Sequence, residues 1–300
     1  MLLILTGKRE IGPSATEFIR SLGENLAKNG TPYSVASFQD VEVYLSDAEI
    51  HITVSGQPVE TWSTIYPRKV GQYMTLAHIL ASYSKIHGIT VIDRFRERNS
   101  ETTKLKQMYL FATKKLGIPK TYHCALYDPG HIANAISFLG LPVVVKQCGT
   151  SKGIGVALAH DAGELERKIA VFLEKNPKKE IILQEFIENT FEYRIFVTGN
   201  TIATAERKTR TAEETFRNNV SIGAIEDFFD PSLLDESVAS TALGAAKELD
   251  VQVAGVDIVV DKNGRALLFE VNSCPGFTLD EAVSDEVRRL SDYLTVCEKK

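Results

Sequence analysis

The stretch VDIVVDKNGRALLFEVN, residues 256–272, sets two acids and an amide into otherwise apolar strands. Asn263-Gly264 favours a two-residue hairpin turn, because both residues tolerate positive φ. With that turn Asp257 lies directly opposite Glu270, and alternation puts Asn272 on the same face as Glu270. Like charges opposed across a sheet repel unless a cation holds them. Hard oxygen ligands from so few protein groups suit Mg²⁺ bound together with substrate phosphates. The bland alternative is one acid facing solvent and the other in a salt bridge.

Two further stretches carry charge where strands are expected. In VVVKQCGTSKGIGV, residues 143–156, Lys146 ends an apolar run, and a buried lysine without a partner is rare. The glycines that follow let backbone N–H groups approach an anion; the alternative is an exposed, flexible hairpin turn with two solvated lysines. In EYRIFV and TIATAERK, a turn at Gly199-Asn200 sets Glu192 opposite Arg207 with Arg194 on the same face; a surface ion-pair ladder is the alternative. Arg210 and Arg217 extend this positive cluster into the stretch 208–222, which lacks periodicity and is long enough to be an active-site loop.

Three familiar motifs fail. Gly149-Thr150-Ser151-Lys152-Gly153 has the spacing of a hydrolase nucleophile elbow, but a strand pattern follows it and the last histidine is His160, with no acid between. No phosphate-loop lysine motif occurs, and the Gly7 to Gly12 turn lacks the dinucleotide-binding glycine spacing.

The elements that must position these residues follow from periodicity. A strand at 1–6, a helix opened by a Ser14–Glu17 capping box and ended by Gly30, the strand YSVASF, a hairpin or edge at HITVSGQPV, a helix over about 73–87 and the strand GITVID imply a parallel sheet covered by helices. RFRERNSETT, residues 94–103, reads as a polar linker. A helix over about 102–116 follows, with Leu105, Met108, Tyr109, Ala112 and Leu116 at helical spacing. Then come LPVVVKQC, GVALA, a helix capped by Asp161 with Glu164, IILQEFI and the two hairpins. Pro231 opens a helical run to Leu249, and a last helix covers about 281–297.

Three hundred residues with 44% hydrophobic and 24% charged residues are ordinary globular composition, long enough for two or three packed lobes. A net charge of −5 argues against an overall grip on nucleic acid or acidic lipid. No apolar run reaches bilayer length, and the short apolar start is a buried strand rather than a signal peptide. The four cysteines show no metal or disulfide spacing, so reduced thiols in a cytoplasmic protein are expected.

Taken in order, IILQEFI, EYRIFVTGN, AERK, FRNN with Gly223, AGVDIVV and FEVNSCPGF resemble an ATP-grasp ligase, most closely the RimK-like peptide ligases, over roughly residues 95–280. The resemblance implies an α/β chain with an N-terminal β/α substrate-side lobe (1–95), a central ATP-grasp lobe (96–187) and a C-terminal ATP-grasp lobe with the metal site (188–300). Residue by residue it implies that Lys104 and Lys146 contact ATP phosphates together with the loop glycines Gly153 and Gly155. Glu185 and Ile187 lie along adenine, and Glu192 holds the ribose. Asp257, Glu270 and Asn272 ligate Mg²⁺, with Mn²⁺ as a substitute, and Arg194, Arg207, Arg217 and Asn219 face the phosphoryl group. Two positions depart from the family pattern: Gly149 comes one residue early, and Cys274 stands where serine is common and reads as a packing residue.

The implied chemistry is ATP-dependent ligation of a carboxylate, small-molecule or peptide, to an amine or less often a thiol, through an acyl phosphate. Phosphotransfer without bond formation is a rival, as is a regulatory nucleotide-binding protein without turnover. The intact Asp257, Glu270 and Asn272 set speaks against the latter. Nucleic acid is disfavoured because no aromatic residues interleave the arginines. Arg68, Lys69 and Arg94 read as solvated surface charge. Assembly as a homo-oligomer stays open.

Overall fold

The computed structural model describes residues 1–98, 103–149, 155–210 and 225–299. The chain begins with β1 (Leu2–Thr6), α1 (Pro13–Lys28), β2 (Tyr33–Ser37), β3 (Val41–Leu45), β4 (Ile50–Val54), β5 (Gln57–Pro58), β6 (Thr64–Pro67), α2 (Met74–Ile86) and β7 (Thr90–Val91). The apolar run of β1 is buried throughout, as a strand covered on both faces must be. It lies inside a parallel sheet of order β2-β1-β6-β7. β4 and β5 form the expected hairpin, with Ser55 and Gly56 at positive φ in its turn; β3 joins them in a small antiparallel sheet. The Ser14–Glu17 capping box is absent. Gly12 is the N-cap and Pro13 takes the first helical turn, where its fixed φ suits and its missing N–H costs nothing.

Residues 94–97 are a 3₁₀ turn instead of a free linker, and both Phe95 and Arg96 are buried. Asp93 anchors this crossing. Its Oδ1 accepts the backbone N–H groups of Gln252 and Val253 at 2.8 and 2.9 Å. Burial pushes the Asp93 carboxyl up to about 6.

Next come α3 (Lys104–Thr113), β8 (Thr121–Tyr122), α4 (Pro129–Leu139), β9 (Val143–Gln147), β10 (Val156–Ala159), α5 (Ala162–Lys175) and β11 (Ile181–Glu185). An antiparallel sheet of order β10-β9-β11-β8 packs against α4 and α5. The Asp161 carboxylate caps α5 through the Glu164 N–H at 2.8 Å, as expected. In α3, Met108 and Phe111 face the core, while Tyr109 and Ala112 face outward.

The remainder is β12 (Phe191–Thr198), β13 (Thr201–Thr209), β14 (Ile225–Phe229), α6 (Glu236–Leu249), β15 (Val253–Val260), β16 (Ala266–Asn272) and α7 (Glu286–Glu298). Five strands pair antiparallel in the order β14-β13-β12-β15-β16. One face of this sheet is closed by α6 and α3 around Ile195, Val256, Ile258 and Leu268. Pro231 opens only a 3₁₀ turn, and α6 starts after Asp235. α7 starts at Glu286, later than expected, and shares a core with the first lobe: Leu2, Ile4, Phe18 and Leu22 pack with Phe196, Val253, Leu290 and Leu294.

α3 backs onto the edge of β16 through residues one helical turn apart. The buried Gln107 carboxamide donates to the Val271 carbonyl at 3.0 Å and accepts the Val271 N–H at 2.9 Å, standing in for a neighbouring strand. Gln107→Leu would leave both backbone groups without partners. It should lower stability by about 2–4 kcal/mol, read as a shifted urea midpoint; an unchanged midpoint would contradict this bracing role.

Candidate active site

Asp257 does lie opposite Glu270, but not through the turn expected. Asp261 N–H donates to the Arg265 carbonyl, and Gly264, at positive φ, donates to the Asp261 carbonyl. The loop is thus three residues long, which moves the register by one, as such loops do. An irregularity between Asp257 and Ile258 moves it back, leaving Phe269 as the extra residue on β16. Asn272 then pairs with Gly255, and its Nδ2 donates to Asp257 Oδ2 at 3.2 Å.

Two cations hold the opposed acids. Lys104 Nζ, from the first turn of α3, lies 2.5 Å from Glu270 Oε2. The Arg194 guanidinium grips Asp257 with both arms, at 2.8 and 2.9 Å. Burial opposes the charge on Asp257, but Arg194 outweighs it and keeps the carboxyl below its usual range. Among the described residues no three His, Cys, Asp or Glu form a closed metal cage. Two facing carboxylates with an amide oxygen fit Mg²⁺, which completes its shell with water and phosphate oxygens.

The second hairpin departs from expectation. Its turn is Gly199-Asn200, but a bulge beyond Val197–Ile202 shifts the register. Glu192 therefore faces Lys208, and Arg194 faces Glu206. Arg207 falls on the opposite side of the sheet, where it bonds Asp227 at 2.7 Å and lies over Phe191. It takes no part in the cleft. Two residues that the sequence reading passed over enter instead, Glu206 and Lys208, both buried. Alternation would have indicated them had the bulge been legible. Arg210 is likewise spent locally, its guanidinium donating to the Asn189 carbonyl.

Above this sheet, Lys146 is half-buried with its Nζ over the Phe269 ring at 4.6 Å. Burial, then the nearby Lys104 charge, pushes its ammonium down to about 8. Gly149 and Gly155 flank the loop at positive φ. The strand-crossing residues Glu185, Phe186 and Ile187 border the same cleft. The Glu185 carboxylate accepts the Lys120 N–H at 2.8 Å, and the Glu185 backbone N–H donates to the Lys120 carbonyl at 3.1 Å. Gln184, also missed, donates to Thr121 and keeps a buried Oε1 without a hydrogen-bond partner at this wall. Burial, then the Asp257 charge, pushes the Glu192 carboxyl up to about 7. Ser151, Gly153, Arg217 and Asn219 lie outside the described residues.

The cleft measures about 990 Å³ and reaches from Glu185 to the start of α1 in the first lobe. Arg68 is no surface charge: only 7% exposed, it donates to the Pro275 carbonyl at 2.8 Å and lies against both of the stacked Phe18 and Phe277 rings. Lys69 borders the cleft, and Arg94 pairs with Asp250. Cys274 lines the wall beside them.

A family model of the RimK-like ATP-grasp domain matches residues 101–286. The chain belongs to the RimK-like ATP-grasp family. This RimK-like chain is 29% identical over 240 residues to a probable alpha-L-glutamate ligase of Vibrio vulnificus (strain YJ016), covering 79% of the chain and 77% of that protein. It is 33% identical over 191 residues to a probable alpha-L-glutamate ligase of Shewanella loihica, over 62% of the chain and 60% of that protein. The solved structure of the ATP-grasp ligase PsnB complexed with minimal precursor, Mg and ADP superposes with a TM-score of 0.74 at 17% identity, covering 100% of this chain and 97% of that one; it shares the fold. The chain is an ATP-grasp carboxylate–amine ligase.

The Lys146 ammonium must be charged to attract phosphate, so the RimK-like ligase should lose ATP affinity as pH climbs through about 8. Calorimetry should show this slope in the native chain. Lys146→Met should bind ATP more weakly and without that slope; equal affinity and equal pH dependence in the variant would remove Lys146 from the phosphate site.

Proposed function

We propose that this RimK-like ligase activates a carboxylate as an acyl phosphate and transfers the acyl group to an amine, releasing ADP and phosphate. The observation that carries this reading is the row Glu270, Asp257 and Arg194 across one sheet, with Lys104 of α3 at its end, facing Lys146 over a single cleft. In this reading residues 1–95 form the substrate-side lobe, 96–187 the central lobe and 188–300 the metal-bearing lobe, with the reaction run in the cytoplasm. Free cysteines are in keeping with that compartment, and no described helix is long and apolar enough to cross a membrane.

Lys146 and Lys104 draw the phosphates in, and the glycines beside Lys146 let backbone N–H groups close on them. Glu192 accepts ribose hydroxyls, and the orphaned Gln184 Oε1 offers an acceptor to the adenine amino group. Asp257, Glu270 and Asn272 would hold Mg²⁺, which when bound offsets charge that builds on phosphoryl oxygens. Arg194, already fixed by Asp257, adds a cation that needs no reorganisation during reaction. A carboxylate oxygen attacks the γ-phosphorus as the bond to ADP breaks. The amine nitrogen then attacks the acyl carbon, the bond to phosphate breaks, and nitrogen loses a proton. The relatives' names make L-glutamate the first co-substrate to test.

Acid and amine pairs should be screened for ADP release, with products identified by mass. A condensed product with free phosphate is expected; a phosphorylated acceptor would establish phosphotransfer instead. Glu270→Gln and Asn272→Ala should each lower Mg²⁺-dependent ADP formation by about 10²–10³ without unfolding the chain. Unchanged turnover in both would sink the metal assignment.

A further inference from the structure

The charged row continues past Arg194. Its cross-strand neighbour on β13 is Glu206, only 2% exposed. Glu206 Oε1 has no hydrogen-bond partner; Lys208 Nζ stands 3.5 Å away. Glu226, on β14, faces Lys208, and Glu286 opens α7 with 3% exposure. Thr278 ties these two together, giving its N–H to Glu286 Oε2 at 2.9 Å and its hydroxyl to Glu226 Oε2 at 3.4 Å. All three acids border the cleft. Arg194 is committed to Asp257 and Lys208 also faces Glu192, so these two cations are shared among more acids than these three.

We propose that Glu206, Glu226 and Glu286 form the subsite for the acceptor amine, which binds there as an alkyl ammonium; the inference rests on the ligase reading above. An ammonium carries one positive charge and three N–H donors, which suits acceptors arriving from three separate elements. A metal ion suits the place less well. Lys208 and Arg194 form its wall, and among the described residues no group of three acids is arranged to hold a metal. The position also fits the chemistry. Adjacent strands lie about 4.8 Å apart, which puts Glu206 two strand spacings, about 10 Å, from Asp257 and on the far side of Arg194. An ammonium held there gives one proton to a neighbouring carboxylate, and the freed amine nitrogen then attacks the activated acyl carbon. Burial pushes the Glu206 carboxyl up to about 8 and Glu286 up to about 7, so in the free chain protons stand where an arriving ammonium would supply the positive charge.

The test compares Glu206→Gln and Glu286→Gln with the native chain in two arms. In the first, acyl transfer to L-alaninamide, a cation near neutral pH, competes with transfer to hydroxylamine, which is neutral there. The preference for the cation should fall about ten- to hundredfold in each variant, through a raised KM for the amide; an unchanged ratio would overturn the subsite. In the second arm, binding of L-alaninamide to the ADP-loaded chain is followed by NMR beside its N-acetyl derivative. Only the ammonium form should bind, and more weakly to the variants. Equal binding of both compounds, or loss of a bound Mn²⁺ in the variants in place of the amine, would overturn the proposal. If no acid yields hydroxamate, the ligase reading fails by itself, and the binding arm still decides the subsite.

Discussion

The structure turns on two carboxylates that face each other across one pair of strands. Asp257 and Glu270 repel at cross-strand distance, and that repulsion has to be balanced in every state of the protein. In the free chain Lys104 and Arg194 do it. Each comes from a different element, so α3 and β12 are bound to β15 and β16 by charge as well as by packing. Gln107 secures the same edge through Val271, between Glu270 and Asn272 on β16. A cation brought in with nucleotide would share that balance, which makes ligand binding a redistribution of charge within a finished frame.

The frame keeps charge sorted by position. Lys104, Lys146 and Arg194 gather where anionic oxygens would sit, and Glu206, Glu226 and Glu286 lie beyond Arg194. The modest overall charge of −5 conceals this separation. The first lobe takes part in the same cleft. Arg68, just after β6, reaches the Pro275 carbonyl just past Asn272, and a continuous core of α1, β1 and α7 residues backs that contact. The first lobe is thereby held in register with the end of β16.

Much of this was legible in the sequence. The alternation of β15 and β16, the Lys146 run and the Asp161 cap each rest on local physics, and each appears in the structure. The Asp257–Glu270 pairing was foreseen from a two-residue turn; the actual three-residue loop and the bulge at Phe269 cancel. Nothing cancelled the bulge in β13, so Arg207 was placed in the cleft and Glu206 and Lys208 were not. A bulge depends on how two strands twist against the core, which composition does not encode. Arg68 was misjudged for a similar reason: its cage of Phe18 and Phe277 comes from opposite ends of the chain. α4 carries plain local signals, Asp128-Pro129 at its start and Gly140 at its end.

Opposed carboxylates already balanced by Lys104 and Arg194 would take up a metal ion only together with nucleotide. Electron paramagnetic resonance of Mn²⁺, used as a probe for Mg²⁺, measures this directly. With ADP present the native chain should bind Mn²⁺ tightly, and Glu270→Gln should leave the ion bound only as its complex with ADP in solution. Equal Mn²⁺ binding by the native and substituted chains would contradict the account.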